Sequence, residues 1–256
     1  MTRPGKCAGG AVAREPWMRS PNNLLLSALS AGDLAALSQH LTKVSITRGD
    51  VLFEPGDLVH TVHFPIGGTV LAITIPMLDG STVETVAIGR EGAVGGVVSQ
   101  GLVPAFGRAL TQFPGLALRI DILDLQAIKR GSKTVANLLT RYSDCLVAQL
   151  QQGVACNAQH TAEQRLARWL LETQDRVGDE MPLAQEYLAQ MLGIHRSYLN
   201  KAAKALQAAG LIRYHRGLIA ITNRTGLEQA ACECYARVRA HYENVLAGVY
   251  PSDERH

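Results

Sequence analysis

The hydrophobic pattern from Leu24 to about Asp124 is typical of β-strands. Short runs rich in Val, Ile and Thr, such as residues 61–77 and 81–89, are separated by turn signals made of Gly, Pro and Asp. Strands at this spacing predict a jelly-roll-like β-roll. Ahead of the strands, leucines at helical spacing predict one short helix through Leu29, Leu34, Leu37 and Leu41.

A different period begins at Ser132 and continues to about Cys156. The steps alternate between four and three residues, which is a heptad pattern and predicts one long helix with a continuous seam. The seam positions are Val135, Leu139, Tyr142, Leu146, Gln149, Gly153 and Cys156. Such a seam packs either against the chain's own β-roll or against its copy in a second chain. We favour the second, a dimerisation helix, because the helix is long and joins two regions of different pattern.

From Thr161 onward the pattern is helical. Thr161 is a candidate N-cap and Gly178 a candidate end for a first helix. The apolar face of this helix contains Leu166, Trp169, Leu170 and Val177. Farther along, Gly193 separates two shorter helices, the second running from about His195 to Ala209. Two helices joined by a tight glycine turn are the pattern of a helix-turn-helix.

Both short helices have an apolar face, and a β-hairpin follows them. The inward positions are Leu188, Met191 and Leu192 in the first helix, and Leu199, Ala202, Ala203 and Leu206 in the second. Short apolar runs on either side of Arg216-Gly217 predict two strands that form a wing. His215 and Arg216 lie at the predicted tip of this wing.

Charge is distributed unevenly. The net charge of the 256 residues is only +3, so attraction to an anionic partner has to come from local clustering. The window from Leu192 to Gly217 contains five Arg or Lys residues and no Asp or Glu. The outward positions of its helix are Arg196, Ser197, Asn200, Lys201 and Lys204. Because Arg pairs with guanine and Asn with adenine in the major groove, this face predicts contact with DNA; the alternative is a solvated basic surface.

These motifs together resemble the Crp/Fnr family of transcription regulators. Residues 63–96 look like the cyclic-nucleotide-binding β-roll of that family, and residues 183–214 look like its DNA-reading head. The resemblance spans residues 21–226 and implies an α+β fold: an N-terminal β-roll, a long dimerisation helix and a C-terminal winged helix-turn-helix. The predicted divisions are a flexible tail (1–20), a β-roll sensor domain (21–130), a dimerisation helix (131–158), a winged helix-turn-helix (159–226) and a C-terminal helix with a tail (227–256).

The resemblance also implies roles for individual residues in DNA binding. Arg196, Ser197 and Lys201 match the positions that read bases in the family. Gln185, His195 and Tyr198 match positions that contact the DNA backbone. The family often has Ser or Thr where this chain has Ala184, so we expect the first short helix to lack a side-chain N-cap, at a cost of about 1 kcal/mol.

The β-roll departs from the family pattern at the effector site. Members that bind cyclic nucleotides carry a Glu for the ribose where this chain has Gly96, and an Arg-Ser or Arg-Thr pair where this chain has Arg108-Ala109. A cyclic phosphate needs a cation with additional donors. The candidate effector pocket therefore contains Gly95, Gly96 and Arg108, and we expect an effector other than cyclic AMP.

The sequence predicts no cofactor, no metal site and no catalytic residues. His60 and His63 are three residues apart on a strand and point to opposite faces. Cys232 and Cys234 are two residues apart on a predicted C-terminal helix, where their side chains diverge. No other Cys or His pair is expected to complete a zinc site with them. Five cysteines in 256 residues are too few for a disulfide scaffold and suggest a reducing compartment.

The seam cysteine allows two interpretations. In a parallel dimer Cys156 would face its own copy, and an oxidation-linked crosslink would lock the dimer. Cys145 flanks the same seam and could replace it in another register. The simpler interpretation is that both thiols are small apolar fillers in a reducing cytoplasm.

We therefore predict a homodimeric, sequence-specific regulator that reads a palindromic site in double-stranded DNA. No segment is apolar enough for a signal peptide or a membrane span, which predicts a cytoplasmic protein without a membrane partner. RNA polymerase and an unknown small-molecule effector are further partners of such a regulator. The alternative is a β-roll enzyme or metal-binding sensor whose winged helix mediates protein contacts.

Overall fold

The computed structural model describes residues 22–99 and 101–251. The predicted tail (1–20), with Cys7, lies outside the described residues. Two helices precede the strands, where the leucine pattern predicted one: α1 (Leu24–Ser27) and α2 (Ala31–Ser38). The chain breaks between them because the Ser30 side chain accepts a hydrogen bond from the backbone N–H of Asp33 and starts a new helix.

The N-terminal β-roll consists of two antiparallel sheets, as predicted. Its strands are β1 (Thr42–Ile46), β2 (Val51–Phe53), β3 (Thr61–Ile66), β4 (Val70–Pro76), β5 (Thr82–Ile88), β6 (Arg108–Phe113) and β7 (Gly115–Asp121). The strand order is β1-β7-β3 in one sheet and β2-β6-β4-β5 in the other. Apolar side chains of both sheets, among them Leu71, Ala109 and Ala117, form one core. Phe64 and Leu118 are fully buried in a second core, which the roll shares with the helices. His60 lies just before β3 and is exposed, whereas His63 lies on β3 and is buried; burial and Arg119 lower the pKa of His63 to about 4.

Two helices follow the roll. They are α3 (Ile122–Gly131) and the long α4 (Lys133–Gln159), and the Ser132 side chain caps the second. The predicted seam lies on α4, but its side chains are directed into the chain's own core. Its positions are buried or partly buried there: Val135, Leu139, Tyr142, Leu146, Gln149, Gly153 and Cys156.

Val135, Leu139 and Tyr142 are thus buried in the chain's own core, and the expectation that these three residues face a second chain is wrong. They pack against the β-roll and against a C-terminal helix that covers the other side of α4. The Tyr142 hydroxyl donates to the Ala93 carbonyl inside the roll at 3.0 Å. Cys145 is fully buried in this core, and burial raises its pKa to about 11. Cys156 is fully buried against the chain's own C-terminal segment, so neither thiol is placed to crosslink two chains.

The winged helix-turn-helix contains three helices and a small sheet within the described residues. Its elements are α5 (Ala162–Val177), β8 (Glu180–Pro182), α6 (Gln185–Leu192), α7 (Arg196–Ala208), β9 (Ile212–His215) and β10 (Leu218–Ile221). Thr161 and Gln164 form a capping box at the start of α5, and Gly178 ends it, as predicted. The sheet order is β8-β10-β9, and the strand β8 was not predicted.

A buried polar contact joins the winged helix to the β-roll. Arg176 at the end of α5 forms an ion pair of 2.8 Å with Glu91 of the roll, and both side chains are only 2% exposed. Near it, the Trp169 indole N–H donates to Glu84 at 3.0 Å, and desolvation raises the pKa of the Glu84 carboxyl. At the edge of the contact, the Arg48 guanidinium donates to the Pro182 carbonyl.

The C-terminal segment contains two helices where the sequence predicted one. These are α8 (Arg224–Ala230) and α9 (Cys234–Val245). Leu227, Tyr235, Val238 and Tyr242 of these helices are buried, and Ala231 between them is partly buried. The break changes the geometry of the cysteines, because Cys232 lies in the link and Cys234 opens α9. The argument that the two thiols diverge along one helix is therefore wrong.

Among the helices within residues 22–99 and 101–251, none is both long enough and apolar enough to cross a membrane.

The buried ion pair yields a stability prediction. Glu91→Ala leaves the Arg176 guanidinium buried without its charge partner, which should lower the free energy of unfolding by about 3–5 kcal/mol in urea denaturation. Glu228→Ala is the matched control, because Glu228 is itself exposed and pairs with Arg224 at 3.0 Å along one helix. Its loss should cost less than about 1 kcal/mol. Equal losses in the two variants would contradict a special role for the buried pair.

Candidate nucleic-acid interface

The helix-turn-helix is built around Gly193. This residue ends α6 in the left-handed conformation, with φ 60° and ψ 39°, which a residue with a Cβ adopts at a cost. Ala189 is buried where α6 and α7 approach, and a small side chain there allows the close contact. The Arg165 guanidinium of α5 donates to the Leu192 carbonyl at 2.5 Å and so satisfies the end of α6.

The apolar faces of both helices are buried as predicted, and this fixes what α7 presents to solvent. Leu199 and Leu206 are fully buried against α5. The predicted DNA-contacting residues that are exposed on α7 and at its N-terminus are His195, Arg196, Ser197, Tyr198, Lys201 and Lys204. Two predicted residues are less available: Gln185 is half-buried at the start of α6, and Asn200 is half-buried with its Oδ1 atom inaccessible.

His195 organises the N-terminus of α7. Its ring accepts a hydrogen bond from the backbone N–H of Ser197, so it serves as the N-cap of the helix. The same Nδ1 atom lies 2.8 Å from the Ser197 hydroxyl. With Nδ1 acting as acceptor, the proton of the neutral ring resides on Nε2, which can donate to a phosphate. The N-terminal end of α7 adds the positive end of the helix dipole to this position.

Ala184 precedes α6 without a side-chain hydrogen bond to the helix, as predicted. The helix is instead held by burial of Leu188 and by the Arg165 contact at its other end.

The wing has the predicted hairpin geometry. His215 pairs with Leu218, so Arg216 and Gly217 form a two-residue turn. Both turn residues have positive φ, 49° and 78°, as the tight hairpin turn that suits twisted strands requires. His215 and Arg216 are exposed at the tip, and Arg213 is exposed on β9. Arg213 lies in the basic window and in the predicted wing, but it was not among the predicted DNA-contacting residues.

A cavity of about 560 Å³ lies between the β-roll and α4. Most of its wall is apolar and is formed by Phe53, Ile73, Ile75, Val86, Ile88, Val94, Val97, Val103, Phe106, Leu146, Val147 and Leu150. Gly95 and Gly96 line it, as predicted for the effector pocket. Arg108 does not line it, because its Nε donates to Glu54 at 2.8 Å. Two of the three residues predicted for an effector pocket thus line this cavity, and the third, Arg108, does not.

The C-terminal part of the chain matches a known domain family. A family model described as the Crp-like helix-turn-helix domain matches residues 164–230. No curated protein matches the chain.

Solved structures share the fold of most of the chain. FixK2 from Bradyrhizobium japonicum is similar with a TM-score of 0.63 at 17% identity, over 75% of this chain and 98% of its own. The c-di-GMP responsive regulator CLP from Xanthomonas campestris gives 0.62 at 16% identity, over 75% and 99%. TTHA1359, a regulator of the CRP/FNR family from Thermus thermophilus, gives 0.60 at 18% identity, over 74% and 98%. At these identities the likeness establishes the fold, the predicted β-roll with a C-terminal helix-turn-helix.

The cavity wall leads to a prediction about ligands. Cyclic AMP and cyclic GMP should not bind in the micromolar range, because a cyclic phosphate would enter an apolar wall while Arg108 is held by Glu54. Isothermal titration calorimetry with each nucleotide is the measurement. Glu54→Gln is an informative companion, since it loosens Arg108 without changing the cavity wall. Stoichiometric binding of either nucleotide to the unchanged protein in the micromolar range would contradict the conclusion that the cavity excludes a cyclic phosphate.

Proposed function

We propose that this chain, with its Crp-like helix-turn-helix domain on the Crp/Fnr fold, is a homodimeric transcription regulator that reads a palindromic DNA site. The observation that carries the proposal is the outward face of α7. It presents Arg196, Lys201 and Lys204 to solvent, with the wing cations Arg213 and Arg216 nearby in the sequence. Acids are absent from residues 192–217. Local positive charge on a nearly neutral protein is the electrostatic pattern of DNA binding.

The residues on this face divide into two roles. Arg196 and Ser197, in the first turn of α7, occupy the part of a recognition helix that contacts base edges. Lys201 follows one turn later on the same face. His195, Tyr198 and Lys204 flank it and contact phosphates, together with the wing tip. Asn200 has a minor role because its Oδ1 atom is inaccessible.

A stripe on α4 supports the dimer. Three exposed apolar side chains follow one another at heptad steps: Val147, Leu150 and Val154, which are 51%, 38% and 73% exposed. Toward the N-terminus the same period continues through Ala136, Thr140 and Ser143. Each position of the stripe is one residue after a position of the predicted seam. The stripe therefore lies about 100° around the helix from the seam.

A second copy is the partner that fits this stripe. Exposed apolar residues at alternating steps of three and four are typical of a two-helix coiled coil. The stripe also forms part of the cavity wall through Val147 and Leu150. A ligand in the cavity would therefore contact the same residues that meet the second helix. We infer that an uncharged, largely apolar effector acts by changing how the two copies of α4 pack.

The test of the reading face uses two variants. Arg196→Ala should lower affinity for the preferred site by about 1–3 kcal/mol and relax the preference at one base pair, because it removes a bidentate contact. Lys204→Ala should weaken binding equally on all sequences and reduce the salt slope by about one, because it removes one phosphate contact. Fluorescence anisotropy with the preferred duplex and its single-base variants separates these effects. If Arg196→Ala keeps full discrimination at every base pair, the face is wrongly assigned. An activity on a small molecule without retained DNA would favour the enzyme alternative.

The test of the dimer compares charges on and off the stripe. Val147→Asp and Val154→Asp should give monomers in sedimentation equilibrium, because each puts like charges opposite one another in the interface. Ala155→Asp is the matched control: Ala155 is exposed and lies one residue, or about 100°, farther round the helix than Val154. This variant should remain dimeric. Dimers that persist in both stripe variants would contradict the proposed interface.

A further inference from the structure

Four side chains that are distant in the sequence meet where α4 ends. Cys156 and His160 come from the last turn of α4 and its C-cap, Cys232 comes from the link between α8 and α9, and Cys234 is the first residue of α9. One ligand atom from each residue lies within 4.8 Å of the ligand atoms of all the others. From this geometry we propose that the four residues form a tetrahedral Cys₃His site that binds one zinc ion per chain.

The spacing of the ligand atoms fits a tetrahedral ion. Zinc binds thiolate sulfur at about 2.3 Å, so two sulfurs of a tetrahedral site are about 3.8 Å apart. The Sγ atoms of Cys156 and Cys232 are 3.5 Å apart. The Sγ atom of Cys234 and the Nδ1 atom of His160 are also 3.5 Å apart. Small movements of these side chains would give the full tetrahedron.

The local structure explains how the two pairs form. Residues four apart on a helix lie on one face, which brings Cys156 and His160 together. Cys232 and Cys234 would diverge on a continuous helix, but the chain leaves α8 at Ala231 and begins α9 at Cys234. The break directs both thiols to the same side. Cys232 and Cys234 can therefore bind the same metal ion, and they can do so only because the C-terminal helix is interrupted between α8 and α9.

Outer contacts orient two of the ligands. The His160 Nε2 atom lies 3.2 Å from a Glu233 carboxylate oxygen, while Nδ1 faces the sulfurs. A histidine that binds metal through one nitrogen commonly donates from the other to a carboxylate, which fixes its orientation and raises its basicity. The Gln152 amide donates to the Cys234 sulfur at 3.0 Å. A thiolate that accepts such a bond is stabilised as a ligand.

Burial and charge also favour a metal over inert thiols. Cys156, Cys232 and Cys234 are 0%, 4% and 1% exposed and form a cluster of their own, apart from the aliphatic cores. Three thiolates and a neutral histidine around Zn²⁺ leave one net negative charge. The Arg168 guanidinium, which pairs with Glu172 at 2.8 Å, also attracts negative charge on Cys156 and Cys232.

An ion at this position would connect two parts of the molecule, next to the start of a third. The ligands join the end of α4 to the segment between α8 and α9, beside the start of α5 at Thr161. The winged helix begins at this point, so the ion would hold its orientation relative to the long helix. The site goes beyond DNA recognition by α7, and it can be tested independently of DNA binding.

The test is cobalt substitution in the full chain. Protein purified under reducing conditions is treated with a chelator and titrated with Co²⁺. We expect one Co²⁺ per chain, with thiolate-to-cobalt charge-transfer absorption and the intense d–d bands of a tetrahedral site, and displacement of cobalt by one equivalent of Zn²⁺. Absence of these bands in the unchanged protein overturns the proposal. So does a Cys156–Cys232 disulfide, identified by mass, in protein that was kept reduced.

Variants locate the site. Cys156→Ser, Cys232→Ser and Cys234→Ser should each lose the stoichiometric bands, whereas Cys145→Ala, a buried cysteine of α4 in another core, should keep them. Glu233→Gln changes an exposed residue and should weaken zinc affinity by about 10–100-fold in competition with a chelator of known affinity. Bands that survive in the three serine variants, or an unchanged affinity in Glu233→Gln, place any metal elsewhere and contradict the assignment.

Discussion

The buried ion pair between Arg176 and Glu91 lies at the junction of the two halves of the molecule, beside an apolar core to which both halves contribute. Both side chains are almost fully buried, and Arg176 also donates to the Glu172 carbonyl of its own helix. A buried charge without its partner is costly, so the pair strongly favours one orientation of α5 on the β-roll. The rest of the winged helix packs on α5, which fixes the direction of α7. The position of the exposed basic face of α7 therefore depends on the buried contact between α5 and the β-roll.

The long helix α4 has a second organising role. One of its sides is buried against the roll and α9, a second carries the apolar stripe Val147–Val154, and its C-terminal end carries Cys156 and His160. The cavity reaches the same helix through Leu146 and Leu150. Effector, second copy and metal ion would thus all act on one element, which continues at Thr161 into the helix-turn-helix domain. This arrangement would give a physical route from the roll to the exposed face of α7.

Local patterns predicted the fold of the helix-turn-helix almost completely. The left-handed turn at Gly193, the burial of Leu199 and the exposure of Arg196 all follow from helical periodicity and one glycine. For the β-roll, the sequence predicted the architecture but not which strands pair or in what register. Alternating strands and turns indicate the architecture, whereas the register depends on contacts between distant residues. The side chain of Arg108 was misplaced because its partner Glu54 is distant in the sequence.

Two other sequence predictions, the partner of the α4 seam and the single C-terminal helix, were wrong because they depend on long-range contacts. The heptad pattern of α4 was real, but a periodic apolar face does not reveal whether its partner is another chain or, as with Tyr142, the roll of the same chain. The break between α8 and α9 has no strong sequence signal, since Ala231 and Glu233 are good helix formers. The four ligands of the proposed zinc site come together only after both helices have packed.

Selection of bound duplexes from a random DNA library tests the central claim most directly. A homodimer that reads DNA with α7 should enrich an inverted repeat whose half-site centres are about 10 bp apart, one turn of the double helix. The enriched base pairs should cluster in the two half-sites, with weaker preference between them. Enrichment of no sequence, or of a single site without two-fold symmetry, would contradict the account.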